Sequence, residues 1–277
     1  MVDESARVQL LDRRYRELAM STFVFENRLA HRLSYLRVFA SPRIAGLLKH
    51  TGQIQAEPRR RAHDTGLLMY SLIEAGLESH DGRHGVARLN EMHRRWNITN
   101  DDYIWVLGTF AVMSIRTIMT AGWRPITEAE KQVVIDWHLE LGTRMGIADV
   151  PTDFDSYDAW FSAYEARMLH RTEAGEQLRD LALGVLLTPI PRPLRRATKA
   201  LIPVLIDEPA RRALGFRRPN LLARATVATI LRVGARRRRR NGPPAPFFEM
   251  GAPNITYPDG WTLDDLGPHQ ARQTHQR

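Results

Sequence analysis

Apolar residues recur along this chain at helical spacing, and no convincing run alternates polar with apolar. Between residues 9 and 40 the stripe reads Leu10, Leu11, Tyr15 and Leu18, then Phe23, Leu29, Leu33, Leu36 and Phe39. Ser41 and Pro42 open "SPRIAGLLKH" as cap and first helical residue, and Thr51-Gly52 closes it. "RRRAHDTGLLMYSLIEAGL" predicts the next helix, and the glycine-rich "ESHDGRHG" a turn. Val86, Leu89, Met92 and Trp96 form a further stripe, with His93 on it. Thr99 or Asn100 opens a helix over 101–121 that is apolar nearly all round, the mark of a central element. "GWRP" ends it. Thr127 and Glu130 then form a capping box for a helix to about Arg144, stopped by Gly146, and another helix runs from about Ser156 to Arg171. No internal repeat is visible. The expectation is an all-α fold.

Beyond residue 180 the pattern changes. Short helical pieces are split by proline and studded with arginine, and a Pro/Gly-rich end, "NGPPAPFFEMGAPNITYPDGWTLDDLGP", predicts an extended strap lying on the domain, with a disordered tail. The expected division is a helical core over 1–180, a basic helical extension over 181–240, and a strap and tail over 241–277.

Charge sharpens this division. The net +9 is not spread evenly: from Leu181 onward there are 17 Lys/Arg against 6 Asp/Glu, while the earlier residues carry 23 against 25. Any anionic partner therefore belongs to the last third. One such partner is an anionic membrane surface, which "LRRATKALIPVL" and "LLARATVATILRVGARRRRR" suit by combining apolar and cationic faces. The other reading packs these helices on the core and leaves only the arginine run exposed. Nucleic acid fits less well, because no helix-turn-helix or RNA motif accompanies "ARRRRRNG". The N-terminus lacks the apolar stretch of a signal peptide. The longest apolar run, Tyr103 to Ile115, covers 13 residues, short of the roughly 18–20 that span a bilayer. The expected location is cytoplasmic, peripheral at the membrane if the basic third docks there.

The chain contains no cysteine, which excludes disulfides, thiolate nucleophiles, zinc ribbons and iron–sulfur clusters. No phosphate-binding loop, GxGxxG, GxSxG or HExxH occurs. Two places could carry chemistry. Arg61, Asp64 and Thr65 fall at i, i+3 and i+4, so a cation, a carboxylate and a hydroxyl share one helix face. The plain reading is a helix-start ion pair. His93 lies on an apolar stripe, where a core histidine bonded to a carbonyl is the plain reading and a ligand to iron the functional one. His63 flanks the polar group as a second-choice ligand. His80 and His84 fall in the expected turn, His138 and His170 lack a partner at metal spacing, and His269 and His275 lie in the tail.

Taken in order, "YLRVFASPRIAGLLKHTGQIQAEPRRRAHDT", "LNEMHRRWNITNDDYIWVLGTF", "GWRPITEAEK", "LGTRMGIADVP", "YEARML" and "YPDGWTLDDLGP" resemble the haem-dependent oxygenases grouped around MpaB and the rubber oxygenase latex clearing protein, in the MpaB-like branch. The resemblance covers about residues 35–266. It implies a single all-α domain with a globin-like core around haem b, and an irregular C-terminal strap. His93 matches the proximal iron ligand, Arg61 and Thr65 the polar pair beside the haem, and Asp64 the variable acid or lysine between them. Where the branch usually has two acids, this chain has His63-Asp64. Arg116 stands where the branch tends to carry an arginine, as a haem-propionate partner or as a buried ion pair. The implied activity is O₂-dependent oxidation of a hydrophobic, isoprenoid or lipid-like substrate, including C=C cleavage. The alternative is a haem- or lipid-binding protein of the same fold without turnover.

Overall fold

Thirteen α-helices and no strand make up the chain among the described residues, which in a computed structural model are 4–242, 244 and 247–268. Their order is Glu4–Glu17 (α1), Val24–Arg37 (α2), Pro42–Thr51 (α3), Gln53–Ala56 (α4), Pro58–Ala75 (α5), His80–His93 (α6), Asn100–Ala121 (α7), Glu128–Arg144 (α8), Phe154–Met168 (α9), Glu173–Leu186 (α10), Arg192–Leu201 (α11), Glu208–Ala213 (α12) and Leu221–Asn241 (α13). His269 and His275 fall outside the described residues.

The helix α7 forms the axis. Thr99 caps it by accepting from the Asp102 N–H, and Asp101 and Asp102 in the first turn face the positive end of its dipole. Trp105, Ala111, Val112 and Ile115 are fully buried as α2, α8 and α9 pack around it. This helix is long and apolar enough to cross a membrane, but here it is the core of the bundle. Gly108 lets α9 approach, because a Cβ there would lie 2.6 Å from Phe161 Cδ2.

The expected caps appear: Ser41 on α3, Gly52 left-handed at its end, the Thr127/Glu130 box on α8, and Gly146 at φ 74° beyond it. Two local expectations change. "ESHDGRHG" is not a turn, since α6 begins inside it at His80 with Ser79 as cap. Its glycines serve helix contact instead. A Cβ on Gly82 would fall 1.8 Å from the Gly76 carbonyl, and one on Gly85 2.8 Å from Leu72 Cδ2. The second change is α13, one helix of 21 residues where short pieces are expected. Asn220 caps it, and no proline interrupts it before its end.

A second apolar cluster joins Leu36, Phe39 and Ala45 to Leu178, Leu183, Ala210 and Leu214, so α10 and α12 close over α2 and α3. Residue 180 lies inside α10. The strap, 247–268, has one 3₁₀ turn, Leu263–Asp265, and buries Trp261, Leu263 and Leu266 against Leu68 of α5. It thereby lies across α5 and α6, over the start of the helix that carries Arg61.

Candidate functional site

Pro58 fixes the first turn of α5, and the next turn presents Arg61, Asp64 and Thr65 together, as their spacing predicts. Arg61 Nη1 donates to Asp64 Oδ2 at 3.0 Å, and Thr65 Oγ1 donates to the Arg61 carbonyl at 3.0 Å. The buried carboxylate of Asp64 is claimed mainly by the strap. Tyr257 donates its hydroxyl to Oδ1 at 2.6 Å, and the Gly267 N–H donates to Oδ2 at 3.1 Å. Asp64 is thus the node that ties the strap to Arg61. Tyr257, which sequence reasoning missed, is 193 residues away, so no local signal links it to Asp64. His63 points elsewhere, its Nδ1 2.5 Å from the Thr256 hydroxyl. Two positions after Arg61 on a helix is the opposite side, so His63 is held beneath the strap rather than beside Arg61.

Replacing Asp64 by alanine is expected to release the strap. Amide exchange across 256–267 should quicken, and stability should fall by about 2 kcal/mol because buried donors lose their acceptor. Tyr257→Phe removes one bond and should cost about 1 kcal/mol. Unchanged exchange in both variants would deny Asp64 this role.

His93 closes α6. Its Nδ1 lies 2.8 Å from the Leu89 carbonyl, an oxygen that can only accept, so the proton is on Nδ1 and the lone pair on Nε2. Burial holds its pKa below the ordinary value, the Leu89 carbonyl works against this, and the positive charge of Arg61 lowers it further. The ring is therefore neutral at pH 7. Tyr103 of α7 packs edge-on, 5.8 Å between ring centres. A cleft of about 460 Å³ opens beside them, lined by Ala87, Asn90, Glu91, Arg94 and Met145.

One face of α7 is partly accessible. From Ile104 to Ile115 of α7 only Val106 and Phe110 are not fully buried, and with Tyr103 they fall on one stripe at i, i+3 and i+7. Tyr35 of α2 also faces Arg61, which pulls against the burial that pushes its phenol up to about 12. Its buried hydroxyl has no hydrogen-bond partner among the described residues. Arg61 thus acts electrostatically on both Tyr35 and His93, and Tyr103 of the α7 stripe packs on His93.

Arg116 takes no part in this group. Its Nε donates to Asp158 at 2.6 Å and its Nη2 to Ser162 at 2.7 Å, with Asp207 at 3.5 Å from Nη1. It sits 13 residues after Tyr103 on α7, about 20 Å along the axis. Of the two sequence readings of Arg116, the structure displays the ion pair. A second cleft, about 250 Å³ and lined by Asp12 and Glu78, is remote from these residues, and Trp137 and the Glu78 N–H already occupy the Asp12 carboxylate.

No three His, Asp or Glu side chains converge as a bare-metal site among the described residues. His93 has Nδ1 anchored and the lone pair on Nε2, the arrangement of a ligating histidine, and among the described residues His138 shares it, in the packed core beside Tyr15 and Trp137.

Known proteins resemble this chain over most of its length. Residues 28–237, which include Arg61, Asp64, Thr65 and His93, match the family described as ER-bound oxygenase mpaB/B'/Rubber oxygenase, catalytic domain. The ER-bound oxygenase mpaB' of Penicillium brevicompactum is 24% identical over 83% of this chain and 59% of its own length. The ER-bound oxygenase mpaB of Penicillium roqueforti is 24% identical over 72% of this chain and 73% of its own. The mpaB of P. brevicompactum is 24% identical over 62% of this chain and 49% of its own, so the chain spans between half and three-quarters of the relatives it matches. With a family match over most of its length, on the helices that assemble the polar face and the anchored histidine, this chain belongs to the mpaB/rubber oxygenase catalytic-domain family.

Proposed function

We propose that this chain is an oxygenase that holds haem b on His93 and oxidises a hydrophobic small molecule with O₂. The observation that carries the reading is the His93 imidazole itself, neutral, anchored through Nδ1 to Leu89 and left with its lone pair on Nε2. A porphyrin brings its own four nitrogens and needs one protein imidazole, which suits a site with one ready histidine. Bound there, haem supplies the iron at which O₂ is activated.

The chain's own residues do the rest. Leu89 fixes the tautomer and the ring orientation of His93. Arg61 is a fixed cation for negative charge developing on oxygen, held in place by Asp64, which the strap holds in turn. Thr65 donates its hydroxyl hydrogen bond to the Arg61 carbonyl, so its oxygen keeps lone pairs free to accept. Tyr103, Val106 and Phe110 exclude water and select an apolar substrate, for which isoprenoid or lipid-like chains with oxidisable C=C bonds are the proposed class. The purified protein titrated with haem is expected to show a Soret band at one equivalent. No band at any haem concentration overturns the cofactor reading.

A lipophilic substrate also gives meaning to α13, whose outer face supports docking on an anionic membrane. Leu222 is 75% exposed, Ile230 56% and Val233 41%, flanked by exposed Arg236, Arg237 and Arg240. Arg238 of the same run turns inward, 3.0 Å from the buried carboxylate of Glu26, with a hydrogen bond to the Ala121 carbonyl. That inward arginine fastens the helix and leaves its apolar and cationic face outward, as interfacial helices require. Co-sedimentation with phosphatidylserine vesicles at low salt is expected, weakened by Ile230→Asp and by high salt. Equal sedimentation with neutral and anionic vesicles would count against this face.

A further inference from the structure

The α7 stripe leads from half-buried His93 to a buried histidine that nothing above uses. Tyr103 touches His93, and Phe110, seven residues on, packs edge-on against His31 of α2 with 5.3 Å between ring centres. Seven residues of helix place these two ends about 10 Å apart. Tyr70 of α5 covers the other side of His31 at 5.2 Å.

His31 is 8% exposed, and neither ring nitrogen has a hydrogen-bond partner among the described residues. Nearby groups share this state. Tyr70 and His138 are within electrostatic reach of Tyr15 and His31 respectively, and Tyr15 and His138 pack at 5.3 Å. The Tyr15 hydroxyl and His138 Nε2 are buried and unpartnered too, although His138 Nδ1 is bonded to the Val134 carbonyl. Buried polar atoms are almost always satisfied, so a set of them at the end of this partly exposed stripe calls for an occupant able to both donate and accept.

We propose that His31, at the far end of this stripe, binds the hydroxyl or carbonyl terminus of an otherwise apolar substrate, and so sets which substrates lie with their chain along α7 toward His93. This rests on the hydrophobic-substrate reading above and goes beyond it by naming the polar group and the residue that reads it. A neutral terminus is specified, because burial holds His31 at a pKa of about 3, with the charge of His138 as a lesser cause, so at pH 7 the imidazole offers one N–H and one lone pair and no charge. A carboxylate would find no cation on this ring. An alcohol satisfies both ring functions in turn, donating to one nitrogen or accepting from the other.

The test measures calorimetric affinities of the full chain for farnesol and for β-farnesene, its hydrocarbon counterpart. The wild type is expected to prefer the alcohol by about tenfold, the worth of one buried hydrogen bond. His31→Phe should bring farnesol down to the affinity of the hydrocarbon and leave the hydrocarbon's unchanged. His31→Gln, which keeps a donor and an acceptor, should restore part of the preference and guards against misfolding of the phenylalanine variant. Equal affinities in the wild type, or a preference that survives in His31→Phe, overturn the proposal and leave the hydrophobic-substrate reading intact. Binding of neither probe overturns both. The haem titration is independent of each outcome.

Discussion

Replacing His93 by alanine is expected to remove the Soret band of the haem-loaded protein while leaving its helix content unchanged. Under the proposed haem binding His93 would be the iron donor, and the nearest other histidines among the described residues are engaged or distant. His63 lies under the strap with Nδ1 engaged by Thr256, and His31 is at the far end of the α7 stripe. Loss of an outer partner of a ligand costs about 10–100-fold in metal affinity, so loss of the ligand itself should exceed a hundredfold or so. The fold should tolerate the change because His93 is the last residue of α6, half-buried, and the Leu89 carbonyl it releases can be rehydrated there. Added imidazole should restore part of the band. A Soret band of full intensity in His93→Ala would move the ligand elsewhere and sink the assignment.

The second large effect is on stability. Arg37→Leu is expected to lower the free energy of unfolding by about 3–5 kcal/mol, the cost of leaving a buried charge without its partner. Arg37 is 3% exposed, and its Nε and Nη2 donate to the two oxygens of Glu165 at 2.7 Å each. It also pairs with Asp207, and Trp105 Nε1 donates to Glu165 at 3.0 Å. Burial works to lower the pKa of Arg37, but the hydrogen bond and charge of Glu165 and the charge of Asp207 outweigh it, so the guanidinium stays charged. One arginine thus joins α2, α9 and the start of α12, with Trp105 of α7 on the same carboxylate. Removing it strands Glu165 in an apolar core. For a chain of this size the melting temperature should drop by roughly 6–10 °C. Pairing Arg37→Leu with Glu165→Leu should recover part of the loss, since an apolar pair of similar volume avoids the desolvation cost. A single variant that melts like the wild type would show that the network adds nothing to stability.

Much of the fold is legible from the sequence because helices are built from contacts within four residues. Ser41, Thr99 and Thr127 cap their helices as their positions predict, and Arg61 and Asp64 meet because i and i+3 must meet. Failures occur where a residue answers to a distant partner. The glycines of "ESHDGRHG" look like a turn by local rules, yet they are there because α5 and α6 cross closely. Arg116 reads alike as an ion pair or a propionate partner until α9 brings Asp158 to it. Tyr257 is one tyrosine in a proline-rich segment until the strap lays it on Asp64.

The sequence by itself determined the all-α class, the caps, the shared face of Arg61, Asp64 and Thr65, and the apolar stripe that carries His93. All follow from periodicity and short-range hydrogen bonding, which the order of residues fixes. The tertiary structure alone decided that Tyr103 packs on His93 and that the strap takes the Asp64 carboxylate. It alone left His31 buried with both nitrogens unmet among the described residues. The physical reason is that the state of a buried polar group depends on what packs against it, and packing partners come from anywhere in the chain.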